Sequence, residues 1–185
     1  MKRFAGFLVG AGFGLAFVLA NSGPPLPSAV ALVLRVLAVA ALVAIVALVV
    51  SIGRRPVGEP GPDAPRMRFD AFFAVVLVVE VVALVGGIQV LRMLDAPMQA
   101  NVAWIALVVG LHFLPLARHW RTRSFAYAAA TISALGLAGL VMAFTGYPEW
   151  VPFVSGVVNG AGMLAGIVVS LTASHRQAAT APVDA

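Results

Sequence analysis

Charge is scarce in this chain. Asp, Glu, Lys and Arg make up 10% of its 185 residues, where an ordinary soluble domain carries about a quarter. Cysteine is absent, which excludes disulfides, thiolate nucleophiles and Cys-ligated metals together and leaves the redox compartment open. Lysine occurs only as Lys2, so every other basic residue is Arg. No Walker loop or dinucleotide fingerprint is present, because "GAGFG" lies inside an apolar run with no strand before it. No Ser or Thr sits in a pattern that offers a base and oxyanion donors. Neither an enzyme nor a cofactor is expected.

The chain instead holds apolar blocks. Hydrophobic residues make up 62% of it, and its mean hydropathy is +1.03. Six blocks can be read, at about 4–20, 29–52, 69–91, 101–117, 125–145 and 151–171. At ~1.5 Å per residue each suits a hydrocarbon core ~30 Å thick. The pattern predicts an all-α, polytopic membrane helix bundle of six transmembrane helices occupying 1–171. Turn-forming clusters such as "NSGPPLPS", "RMLDAPMQ" and "TGYPEW" separate the blocks. The Pro- and Gly-rich stretch within 53–68 reads as a cytoplasmic linker, and 172–185 as a disordered cytoplasmic tail. Ser28 is placed to cap the second helix, and Asp70 to meet the dipole at the start of the third.

A net charge of +5 would point to nucleic acid in a soluble protein. Here the basic residues cluster in short connections and set orientation instead. Lys2, Arg3, Arg54, Arg55, Arg66, Arg68, Arg118, Arg121, Arg123 and Arg176 fall on one side, and Arg92 alone on the other. That asymmetry predicts both termini in the cytoplasm. The Arg-, Ala- and Gly-rich composition points to a bacterial gene, hence the inner membrane. A competing reading takes "MKR" and the following apolar run to "VLA" as a cleavable signal. Gly6, Gly10 and Gly14, at four-residue spacing, favour a retained and packed helix.

Membrane helices associate through close backbone approach and polar contacts, since lipid tails are as apolar as leucine. Small-residue ridges are therefore candidate packing faces, or surfaces for a second copy or membrane partner. The fifth helix offers Ala126, Ala130, Ala134 and Ala138; the sixth offers Gly156 with Gly160, and Gly162 with Gly166. Six helices can also form two three-helix halves, as in many transporters, but only a Gly-rich first and sixth helix supports such a repeat.

Glu80, flanked by valines in "LVVEVVAL", is the sharpest feature, because an acidic residue at mid-membrane costs about 2.5–3.5 kcal/mol on insertion scales. Ala83 and Gly87 lie on its helix face and predict that it points into the bundle. By depth counting, Glu80 and His112 lie ~16 Å below the same surface, Asn159 ~12 Å and Arg35 ~9 Å. The four fit one slab less than ~10 Å thick and predict a single polar cluster. His112 and His119 are seven residues apart with no third ligand nearby, so no metal is expected.

Pro115 in "GLHFLP" removes a backbone hydrogen bond beside His112 and predicts a kink. The segment "GLHFLPLAR" resembles one found in bacterial multi-pass membrane proteins of uncharacterised function. The likeness is confined to the fourth helix, and it implies membrane location and no activity. Two functions remain open on these residues. Glu80, His112, Asn159 and Arg35 form either a site that binds or moves a small solute or ion, or a network that only locks the bundle of an assembly subunit. The lipid bilayer is the one partner common to both.

Overall fold

The computed structural model describes residues 4–54 and 70–180. Among them every regular element is helical: α1 (Ala5–Asn21), α2 (Ser28–Gly53), α3 (Ala71–Met93), α4 (Ala100–His119), α5 (Arg123–Phe144) and α6 (Asn159–Thr180), with a 3-10 turn (Pro148–Trp150) and a π-helical stretch (Pro152–Val158) leading into α6. Five runs are long and apolar enough to cross a membrane: α2, α3, α4, α5 and Pro148–Ser174. At 17 residues, α1 is a shorter apolar helix. The fold suits a membrane-embedded protein. Lys2, Arg3, Arg55, Arg66 and Arg68, and with them most of the linker, lie outside the described residues.

Helix ends follow local chemistry. Asp70 is the N-cap of α3, its carboxylate accepting from the Phe73 N–H at 3.1 Å. Ser28 opens α2 but makes no cap bond, the cap position falling to Pro27. The sequence pattern ends the last helix at Leu171 and makes 172–185 a tail, whereas α6 continues to Thr180. Thr172 and Ser174 donate to the carbonyls of Val168 and Ser170 at 2.8 and 3.0 Å. Their polarity is thus absorbed inside the helix.

The helices form two groups. Val18, Ala38, Ile45, Val157, Leu164 and Leu171 join α1, α2 and α6 in one core. Leu91, Ala100, Ala103, Ala143 and Val151 form a second among α3, α4 and α5. The halves are therefore not the first three and last three helices. The π-helical stretch bridges them, with the fully buried Ser155 donating across to the Leu135 carbonyl of α5 at 2.8 Å.

Small residues set the contacts, though not all those expected. A Cβ on Gly14 would lie 3.0 Å from the Gly160 carbonyl oxygen, so α1 and α6 touch through their backbones. Gly110 and Gly136 do the same between α4 and α5. The Ala126, Ala130, Ala134 and Ala138 ridge instead faces outward, and Ala129, Ile132, Gly136, Gly139 and Ala143 form the buried side of α5. Gly162 and Gly166 meet open space. When every face of a helix is apolar, spacing alone does not say which one is covered.

Candidate functional site

α3 packs chiefly against α4, and none of its most apolar 18-residue window is buried. Three polar contacts run along this antiparallel seam. About one turn beyond Glu80 toward the C-terminus of α3, the Trp104 indole N–H donates to the Ala83 carbonyl at 3.0 Å. Its ring lies over Gly87, where any Cβ would collide with it. At the middle, His112 Nδ1 is 3.3 Å from Glu80 Oε1, with the side chains 18% and 11% exposed. At the N-terminal end of α3, His119 Nε2 is 3.2 Å from Asp70 Oδ2.

The central pair is an electrostatic contact and not an aligned hydrogen bond, because Nδ1 has no acceptor in line. Aromatic rings close the seam between it and the Asp70 end. His112 lies against Phe113, with centroids 4.2 Å apart. Phe113 and Trp120 both meet Phe125 at 5.5 Å, Phe73 lies 6.1 Å from Trp120, and Phe72 stacks on His119 at 4.4 Å. α4 continues through Pro115 to His119.

The expected single cluster divides. Glu80 and His112 meet, whereas Arg35 and Asn159 belong to the α1–α2–α6 group. Arg35 is exposed, and its guanidinium donates to the Ser22 carbonyl at 2.6 Å. Helical side chains lean toward their own N-terminus, so Arg35 leans toward the start of α2, away from mid-helix. There it reaches the end of α1, whose last carbonyls lack helical partners and attract a cation. Asn159 is buried but turned inward on its own helix, donating to the Ser155 carbonyl at 2.9 Å. Depth was readable from the sequence, but the direction of each side chain was not. Trp104 was missed, because an aromatic residue in an apolar run carries no signal of its partner. Gly87 was its trace, noted only as a small neighbour of Glu80.

Asp70 and His119 form the pair at the helix ends. The Phe73 N–H is the largest cause holding the Asp70 carboxyl below its ordinary 3.8; desolvation opposes it, and His119 adds to the lowering. A carboxyl lowered by folding contributes stability that is complete above its ordinary value and lost as pH falls through the lowered one. The melting temperature is therefore expected to fall on acidification below about pH 4. Asp70→Asn keeps a cap acceptor but not the charge, and flattens that acid limb. An unchanged acid limb in a thermal melt series of this variant removes Asp70 as its source.

Among the described residues no three His, Asp or Glu side chains gather to hold a metal. Glu80 and His112 offer two ligands, short of the three or four that protein metal sites supply. What the pair can hold is a proton. One proton between them, on Nδ1 facing a carboxylate or on Oε1 facing a neutral imidazole, leaves the pair neutral overall. That is the least costly state in a low-dielectric setting. No family model, curated protein or solved structure matches the chain.

Proposed function

We propose that this chain is a six-span protein of the bacterial inner membrane with both termini inside, and that Glu80 and His112 form a proton-exchanging site linked to binding or passage of a small solute or ion along the α3–α4 seam. The observation that carries this reading is the 3.3 Å Glu80–His112 contact, with no Arg or Lys among the described residues paired to Glu80. A nearby Arg holds a carboxylate ionised, and Arg35 is engaged at Ser22 instead. Imidazole and carboxyl are then free to exchange a proton with whatever enters between the helices. Asn159 and Arg35 serve in this reading as supports of the α1–α2–α6 group.

A second reading is favoured by the three polar contacts spaced along one seam. In it Glu80–His112 only latches α3 to α4, and the protein is a non-catalytic assembly subunit. Glu80→Gln separates the two, because the carboxamide keeps polarity and size but cannot carry the proton. Purified protein in liposomes containing a pH-sensitive dye should show proton- or solute-linked flux. The variant should fold normally and fall to the protein-free leak. Full flux in the variant, or no flux from either protein at any pH gradient and solute tried, sinks the transport reading.

A further inference from the structure

The side of α3 turned away from α4 carries a polar group that none of the described residues satisfies. Gln89 is exposed, and among the described residues its carboxamide has no hydrogen-bond partner. It lies ~6 Å short of the C-terminal end of α3. Because side chains lean toward the helix N-terminus, the carboxamide is directed toward mid-membrane, not outward to water. Arg35, near the start of its helix, is inclined the opposite way and reaches a helix end. Gln89 has no such escape, and hydrocarbon offers it neither donor nor acceptor. One turn below it, Gly86 has nothing within 4 Å of where a Cβ would stand. The two share a seam with Val75, Val79, Val82 and Met93, all exposed. Successive positions alternate by four and three residues, the spacing that meshes in a left-handed helix pair.

We infer that two copies of this chain associate through parallel α3 helices, with Gly86 allowing close approach and the two Gln89 carboxamides hydrogen-bonded to each other. The occupant follows from symmetry. In a two-fold pair within one membrane each residue meets its own counterpart at its own depth. A carboxamide carries both donors and an acceptor and is therefore complementary to itself. Any other partner needs an independently matched group at that depth. The opposite side of α3 is occupied by α4, so a second copy reaches this seam without disturbing Glu80 or His112. The inference is thus independent of the proton-site reading.

The chain has no cysteine, so single introduced cysteines report proximity without background. In liposomes containing only the purified protein, Val79→Cys and Val82→Cys should form covalent dimers on oxidation. Leu77→Cys, exposed but about 140° round the helix from Val82, should not. In a fluorescence energy-transfer titration against lipid dilution, Gln89→Leu should weaken association about 3- to 20-fold, the measured range for interhelical hydrogen bonds in membranes. Gln89→Asn should retain part of it. Equal cross-linking at Leu77 and Val82, no dimer at any dilution, or unchanged association in Gln89→Leu each overturns the proposal. A different membrane protein covering this face in cells produces the second of these results.

Discussion

Gly136→Ala is expected to separate α4 from α5 and to destabilise the protein by about 2 kcal/mol. The added Cβ would collide with the Leu107 amide nitrogen, stand 2.7 Å from its Cα and meet the Ala103 carbonyl oxygen at 3.0 Å. These are all backbone atoms, so no side chain can rotate aside and the helices themselves must part. Overpacking of this kind costs about 1–3 kcal/mol, and rigid backbone puts it at the upper end. The better helix propensity of Ala returns at most ~1 kcal/mol. Parting also loosens the adjoining contacts of Gly110 with Ser133 and of Gly139 with Ala103. Gly166→Ala is the matched control, since open space surrounds that position, and it should be neutral or slightly stabilising. Unfolding in mixed micelles against rising SDS reads both. Equal midpoints for the two variants would show that α4 and α5 do not meet as closely as described.

His112→Leu is expected to be more damaging than the double substitution Glu80→Leu with His112→Leu. Removing one member of a buried pair leaves the other without compensation, which costs about 3–5 kcal/mol in well-aligned cases, whereas replacing both by apolar groups is often neutral. Three features reduce the figure here. The contact is not aligned as a hydrogen bond, both groups keep slight exposure, and a separated α3 would also leave Glu80 in hydrocarbon. Protonation sets a ceiling as well, since neutralising a carboxyl of ordinary pKa at pH 7 costs about 3.7 kcal/mol. The single variant should therefore lose about 2 kcal/mol, and the double variant should lie within about 1 kcal/mol of wild type. Additive losses in the same SDS titration would mean that the two side chains do not act as a pair. Lost flux with preserved stability in the double variant would separate the site's function from its role in packing.

Glu80 and His112 were legible in advance because depth along a membrane helix follows from counting residues from its end. Their partnership survived that count, while Arg35 and Asn159 passed the same count and went elsewhere. A residue's level is one coordinate of its position; its azimuth and the order of neighbouring helices are the others. In a soluble helix, apolar periodicity supplies azimuth, because the buried stripe differs from the wet face. Here all faces are apolar, so the alanine ridge of α5 and the glycine pair Gly162 and Gly166 looked like interfaces and are open. Ala129, Gly136 and Gly139 look no different in sequence and are covered.

The amino-acid sequence by itself determined the helical class, the approximate helix bounds, the separating turns and the level of each polar side chain. Those depend on hydropathy, turn chemistry and a fixed rise per residue, all local properties. Only the tertiary structure decided that α1, α2 and α6 group apart from α3, α4 and α5, and that Trp104 rests on Gly87. The same holds for Arg35, which closes the end of α1 while Glu80 pairs with His112. These outcomes depend on which backbones approach closely enough to exclude a Cβ and on where each side chain leans. That is a matter of steric fit between segments distant in sequence, in surroundings where hydrophobicity does not discriminate one face from another.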